Sequence, residues 1–365
     1  MIKVLIVDDS ALIRKLFRQV LGEEPDLEVE FARNGVEALA RLETFAPNVI
    51  TLDVQMPQMD GLECLNRIMV QRPCPVVMIS SVTVEGAEAT LEALRLGAVD
   101  FVPKPTGALS LRMEEFAPTL KERIRAAAGA RVSTARRLRE RLQYKSSGVR
   151  SAGNANPPNE PLGEPARAAS GEGIVLVGTS TGGPPALEAL LVPLPANFPW
   201  PVLIAQHMPA TFTGALAKRL NGLCALSVVE VTHPVHLKRG CVYIGRGDAD
   251  LVVSKRPEGP IAMMVPAKQG YPWHPSTDRL VRSAMDQLPA AQLIGVLMTG
   301  MGNDGAAAMA SLRANGGTTI AEAEETAVVW GMPGELVRAG GADYILPLPQ
   351  IAARLQRLVP RAARP

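Results

Sequence analysis

The chain has 365 residues, 47% apolar and 20% charged, with a formal net charge of +2. At roughly 150 residues per domain, that length predicts two domains, each able to bury a core. No apolar run approaches the ~18 residues of a membrane span, the apolar start Ile2 to Val7 is broken by Asp8 and Asp9 rather than forming a signal peptide, and near-neutral charge argues against a nucleic-acid-coating surface. Cys64, Cys74, Cys224 and Cys241 form no C-x-x-C pattern and read as thiols of a cytoplasmic protein.

In chain order, Lys3 to Val7 reads as a short strand, and Ser10 then caps a helix whose Leu12, Ile13, Leu16, Phe17 and Val20 recur at helical spacing. Strand-like runs follow at Leu27 to Phe31, Val49 to Leu52, Val76 to Ile79 and Asp100 to Val102. Helical patterns separate them at Val36 to Phe45, Leu62 to Met69 and Glu85 to Leu96. Five β/α units over residues 1–120 predict a flavodoxin-like α/β domain with a five-stranded parallel sheet, its functional groups at the carboxyl ends of the strands. Asp8, Asp9, Asp53, Ser80 and Lys104 stand at those ends. In the order 2-1-3-4-5, strands 1 and 3 adjoin at the switch point, so three carboxylates converge. Such a cluster requires a cation, and hard oxygen ligands with room for water suit Mg²⁺. The ion would hold a phosphoryl group against Asp53, with the Lys104 ammonium and Ser80 hydroxyl on its oxygens. Any one strand-end Asp is ordinarily a helix cap; the five together point to chemistry.

Residues 1 to about 120 resemble a response-regulator receiver domain. The matching spellings are Val7-Asp8-Asp9-Ser10, Leu52-Asp53 through Met56-Pro57 to Asp60-Gly61, and Phe101-Val102-Pro103-Lys104-Pro105. The resemblance implies that Asp53 accepts phosphate from a histidine kinase and that Lys104–Pro105 is a cis peptide bond. It also implies that phosphorylation shifts the balance of two receiver conformations, read by whatever the domain contacts.

Residues 121–172 read as a linker. From Lys121 to Arg150 basic residues far outnumber the two acids, Glu122 and Glu140. A short helix is allowed over Thr134 to Tyr144, and the Gly, Pro, Ala, Asn and Ser from 146 to 173 predict disorder. The basic run reads as a solvated tether, with docking to an acidic partner or anionic lipid as the alternative.

Alternating units resume over 173–365, with strands expected at Ile174 to Val177, Val202 to Ala205, Ser227 to Val231, Cys241 to Ile244, Leu293 to Leu297 and Thr318 to Ala321. This predicts a second doubly wound, mostly parallel α/β domain. Gly178-Thr179-Ser180-Thr181-Gly182-Gly183 follows the first of these strands and precedes Pro184-Pro185. Its G-x-S-x-G spelling is that of a nucleophile elbow, with the Thr181 N–H aimed where an oxyanion forms. A phosphate-holding loop or a plain turn are the alternatives. A Walker loop, however, would need Lys and Ser/Thr at 184 and 185, and a dinucleotide fingerprint would need Gly at 180.

A serine nucleophile needs a base. His207, in Gln206-His207-Met208-Pro209, directly follows a strand as Ser180 does, whereas His233, His236 and His274 lie in turns. His233-x-x-His236 could hold a metal but lacks a third ligand at a known spacing. For the orienting acid, Asp304 lies in Thr299-Gly300-Met301-Gly302-Asn303-Asp304-Gly305 after a third strand. There Gly300, Gly302 and Gly305 also spell G-x-G-x-x-G, with Glu322 about 20 residues on, a rival cofactor loop. An Asp inside a turn that must cradle pyrophosphate is repulsive; as a triad member it fixes the His207 tautomer.

Residues 173 to 355 are similar to the catalytic domain of the chemotaxis protein-glutamate methylesterases. The motifs are Gly178 to Gly183, Ala205-Gln206-His207-Met208-Pro209, Met298 to Gly305 and Gly331-Met332-Pro333, and the fused receiver is that family's architecture. The resemblance implies that Ser180 attacks glutamate methyl esters on chemoreceptor helices, with His207 as base and Asp304 orienting it. Backbone N–H groups of Thr181 and Met301 would hold the oxyanion, no cofactor would be needed there, and glutamine deamidation would be a second activity. The chain departs from that family's usual spelling at Gln55, where Glu is common, and at Gly245 to Asp250, in place of an Ala-Pro-Gly-x-x-His turn. The expectation is a cytoplasmic, phosphorylation-activated esterase with no nucleic-acid partner and no stable membrane insertion. The rival is a signalling adaptor with a silent second domain.

Overall fold

Short capped helices alternate with apolar strands from the first residues of the chain. The computed structural model describes residues 1–104, 113–131 and 172–359. The expected cis Lys104–Pro105 bond, the Thr134 to Tyr144 helix and the disordered stretch up to 171 lie outside the described residues.

The first unit runs β1 (Ile2–Val7), α1 (Ala11–Leu21), β2 (Leu27–Ala32), α2 (Gly35–Thr44), β3 (Val49–Asp53), α3 (Gly61–Gln71), β4 (Val76–Ser80), α4 (Val84–Leu96), β5 (Asp100–Pro103) and α5 (Met113–Ala128). Its helices begin where a side chain can accept an orphan N–H: Ser10 from Ile13, Asn34 from Glu37, Asp60 from Glu63 and Thr83 from Gly86. The sheet is parallel in the order β2-β1-β3-β4-β5, as the sequence predicts. Residues 121–128, the start of the expected linker, are the end of α5. Their basic side chains are paired within the unit: Lys121 Nζ lies 2.6 Å from Glu24, Arg125 grips Glu24 and Asp26, and Arg123 binds Asp100.

The second unit runs β6 (Ile174–Thr179), α6 (Gly183–Leu191), β7 (Val202–Gln206), α7 (Ala210–Leu223), β8 (Ser227–Val231), β9 (Val235–His236), β10 (Cys241–Gly245), β11 (Ala249–Arg256), β12 (Gly259–Pro266), α8 (Thr277–Gln287), β13 (Leu293–Leu297), α9 (Ala306–Ala314), β14 (Thr318–Glu322), α10 (Met332–Arg338), β15 (Tyr344–Leu346) and α11 (Leu348–Leu358). Seven strands form a parallel sheet in the order β15-β14-β13-β6-β7-β10-β8. The strands β6, β7, β13 and β14 are buried along their whole length, as strands covered on both faces must be. The chain winds outward from β6 on one side and from β13 on the other, so a crevice opens between their carboxyl ends.

A separate antiparallel sheet, β11-β12-β9, was not expected from the sequence. Its hairpin turns at Gly259, whose φ is +124°. The two units meet face to face: Phe101 of β5 packs on Phe212 of α7, ring centroids 4.4 Å apart, and Lys218 of α7 reaches Glu88 of α4 at 3.1 Å. Among the described residues no helix is long and apolar enough to cross a membrane.

Candidate active site and phosphoacceptor pocket

Strands β1 and β3 end side by side, and Asp8, Asp9 and Asp53 follow with carboxylate oxygens all within 4.8 Å of one another. Burial raises Asp8 and Asp53 above the ordinary carboxylate range, and their mutual or neighbouring negative charge adds to it. Lys104 Nζ stands 2.6 Å from Asp53 and 3.3 Å from Asp8. Burial opposes its charge, but the two carboxylates outweigh burial and push the ammonium up. Asp8 Oδ2 is buried, and the Lys104 ammonium at 3.3 Å is its ion-pair partner. One ammonium shared among three clustered acidic side chains leaves excess negative charge on hard oxygen donors, which fits a divalent cation at this point. Ser80, at the end of β4, is turned toward α4, where its hydroxyl donates to the Gly86 carbonyl at 3.1 Å and accepts from Thr90 at 2.6 Å.

The second site lies at the β6–β13 crevice. Gly182, at φ +76°, makes the tight turn into α6, and its neighbour Ser180 is 4% exposed. The Ser180 N–H donates to the Thr299 carbonyl at 3.0 Å, which ties the elbow to the loop after β13. Gly300 must be Gly because a Cβ there would come within 2.7 Å of Ser180 Cβ. His207 is placed by its own N–H, which donates to the Thr179 carbonyl at 3.0 Å. Gln206 braces the pair: its amide donates to the carbonyls of Ser180 and His207, and its oxygen accepts from the Thr179 hydroxyl at 2.7 Å.

Asp304 accepts four hydrogen bonds: from His207 Nε2 at 2.8 Å, Thr277 N at 2.6 Å, Ser276 Oγ at 2.9 Å and Asp278 N at 3.1 Å. The last three come from the start of α8, whose free N–H groups and dipole favour an anion. Burial works against ionisation, but the His207 ring and these N–H donors outweigh it and hold Asp304 below the usual carboxylate range. In the familiar triad the acid engages Nδ1 of the histidine. Here it engages Nε2, and His207 Nδ1 is the buried, unpartnered nitrogen.

Other predicted candidates are not brought together. His233 and His236 are exposed, and among the described residues the only three-ligand acidic or histidine cluster is Asp8, Asp9 and Asp53. Glu322 is fully buried, with one oxygen accepting from Thr299 N at 2.9 Å and the other from Thr326 at 3.0 Å. It holds the Thr299 loop in place and has no oxygen free for a ribose. Thr299 Oγ1 in turn donates to the Thr181 carbonyl at 2.8 Å.

The first unit reaches this site directly. Asp100, the first residue of β5, accepts from the Thr181 hydroxyl and from Arg123 of α5, and Arg123 Nη1 lies 3.0 Å from the same hydroxyl. Nothing in the local sequence at Asp100 or Arg123 announces this contact, since their partner is 58 or more positions away.

Two α/β units of this kind, one ending in an acidic pocket and the other in a Ser–His–Asp crevice, place the chain among response regulators with an enzymatic output domain. Residues 4–114 match the response regulator receiver domain model and residues 175–355 match that of the CheB methylesterase. The chain belongs to the CheB methylesterase family. A protein-glutamate methylesterase/protein-glutamine glutaminase of Rhodopseudomonas palustris (strain BisB18) is 57% identical over 354 residues, 97% of each chain. One of Rhodospirillum rubrum is 50% identical over 361 residues, 99% of this chain and 97% of that protein. The solved catalytic domain of the Thermotoga maritima CheB methylesterase is 37% identical, covering 52% of this chain and 100% of that one, with a TM-score of 0.50. The receiver match carries with it a divalent-metal-binding phosphorylation site.

Proposed function

We propose that the protein is a phosphorylation-activated protein-glutamate methylesterase that serves adaptation in a chemotaxis-type pathway and also deamidates glutamine by the same acyl chemistry. The observation that carries the reading is the bond from His207 Nε2 to a four-times hydrogen-bonded Asp304. It fixes the tautomer that leaves Nδ1 as the proton acceptor.

Ser180 Oγ adds to the ester carbonyl carbon of a methylated glutamate on a chemoreceptor helix while its proton passes to His207 Nδ1. The N–H groups of Thr181 and Met301 hold the oxyanion. The tetrahedral species collapses, the C–O bond to the methoxy group breaks, and that group leaves as methanol with the proton from His207. Water, deprotonated by the same ring, then attacks the glutamyl–Ser180 ester, and the carboxylate and Ser180 hydroxyl are released. In deamidation the leaving group is ammonia. These steps require no cofactor.

The receiver supplies control. A histidine kinase in the cytoplasm phosphorylates Asp53; Asp8, Asp9 and Asp53 would hold Mg²⁺, which would supply positive charge for the phosphoryl oxygens, and Lys104 and Ser80 contact the same oxygens. Lys104 directly follows the strand β5, which begins with Asp100 and Phe101, so a shift at the phosphoryl group reaches the Thr181 contact through a few residues. Before phosphorylation that contact covers the site, consistent with exposures of 4–5% at Ser180, His207 and Asp304.

Methanol release from methylated receptor membranes tests the catalytic assignment. It should vanish in Ser180→Ala; an adaptor would keep its output in that variant, and release that persisted would overturn Ser180 as nucleophile.

A further inference from the structure

The segment Tyr271 to Ser276 crosses the mouth of the crevice and places Trp273 on His207. The two rings are parallel within 8°, with centroids 5.9 Å apart. The far edge of the indole lies over Gly302, whose added Cβ would meet Trp273 Cζ2 at 2.6 Å. Trp273 thus spans the histidine and the loop that bears Met301, while remaining only partly buried.

A buried carboxylate secures this placement. Asp250, fully buried at the start of β11, accepts from His274 Nδ1 at 2.9 Å and from Ser276 N at 2.7 Å through one oxygen, and from Arg279 through the other. Ser276 is bound from its other side by Asp304 at 2.9 Å. Residues 274–276 are therefore held between two buried acids, one in the catalytic constellation and one outside it.

We propose that Trp273, locked over the crevice by Asp250 through His274 and Ser276, is a positioning residue whose indole face stabilises the His207 imidazolium formed when Ser180 attacks. The inference rests on the assignment of His207 as base. A cation within about 6 Å of an indole face is attracted by the ring quadrupole, most strongly where water is excluded. The charged and titratable groups around the His207–Trp273 stack are Asp304 and Asp278 on the acid side, His274, Asp250 and Arg279 along the segment that carries Trp273, and Asp100 with Arg123 at Thr181.

The test combines turnover with a spectroscopic readout that does not depend on turnover. In the full-length protein, Trp273→Leu keeps apolar bulk without a π face, and Trp273→Phe restores one. Methanol release by Trp273→Leu should fall roughly tenfold in kcat with KM little changed. The acidic limb of its pH profile should move to lower pH, and Trp273→Phe should recover most of both. Indole emission of the wild type should be quenched as His207 protonates, and that titration step should disappear in both His207→Gln and Trp273→Phe. A Trp273→Leu enzyme with wild-type kcat and pH limb overturns the proposal, as does an emission step that survives His207→Gln. If wild-type protein releases no methanol the esterase reading fails, and the emission titration still decides whether the indole senses the imidazolium.

Discussion

Asp304→Asn separates the two tasks of the buried acid. Each oxygen of Asp304 faces a backbone N–H, Oδ2 that of Thr277 and Oδ1 that of Asp278, so an amide nitrogen at either position leaves one of them unpaired. With the nitrogen in the Oδ1 position, Ser276 and the longer 3.1 Å Asp278 bond are disturbed while His207 keeps its acceptor. That orientation is the cheaper one, so the tautomer survives and the negative charge beside the ring is lost. At about 4 Å and an effective dielectric near 20, one charge is worth about 4 kcal/mol to the imidazolium, or roughly a thousandfold in rate. Methanol release should therefore fall about a thousandfold in kcat with KM near wild type, since Asp304 does not face the substrate. The variant should also be less stable by about 1–3 kcal/mol for the orphaned N–H. Because Asp304 has a folded-state pKa below its unfolded value of about 3.9, its ionised form contributes stability that is present above that pH and lost as pH falls through the folded value. The gap in thermal midpoint between wild type and variant should accordingly narrow in acid. A loss of less than tenfold in kcat would refute this account of Asp304.

Three further outcomes follow from the same geometry. Asp100→Asn removes the charge from the contact with Thr181 and Arg123; hydrogen bonds to charged groups contribute about 1.5–3 kcal/mol, so methanol release without phosphodonor should rise severalfold, and an unchanged basal rate would count against the covering contact. Mg²⁺ at ten times its dissociation constant should stabilise the receiver by about 1.4 kcal/mol, seen as a higher midpoint in calorimetry, and the shift should be lost in Asp8→Asn. Gly300→Ala would press a methyl group to within 2.7 Å of Ser180 Cβ and 2.4 Å of Met332 Sδ; displacement of the nucleophile by about an ångström costs on the order of a hundredfold in kcat, with folding unchanged by circular dichroism.

The parts of the molecule that obey local rules were legible in the sequence. The strand runs ending in Asp8, Asp53 and Lys104 gave the sheet order and the pocket, because a doubly wound sheet collects its strand ends. Ser180, His207 and Asp304 could be grouped as candidates for the same reason, each lying after a buried strand, and the structure brings His207 and Asp304 into contact. What escaped depends on distant partners. Thr277 and Asp278 serve Asp304 through backbone N–H groups, which no side-chain pattern records. Gln206 stands beside His207 in the chain, yet its bracing role needs the neighbouring strand β6 in place. The β11–β12 hairpin went unread because prolines at 260 and 266 interrupt its alternation. Glu322 was visible at the spacing of a ribose-binding acid, and only its burial against Thr299 and Thr326 shows another use. The basic side chains of residues 121–125 looked like a solvated tether until α5 brought them to Glu24, Asp26 and Asp100.

The most direct test of the account as a whole is methanol release from methylated receptor membranes by the full-length protein, with and without Mg²⁺ and a small phosphodonor, in wild type and Asp53→Asn. Release should rise with phosphodonor in the wild type and stay at the basal level in Asp53→Asn. Equal stimulation of both would contradict control through Asp53, and wild-type release indifferent to phosphodonor would contradict the coupling of the receiver to the Ser180 site.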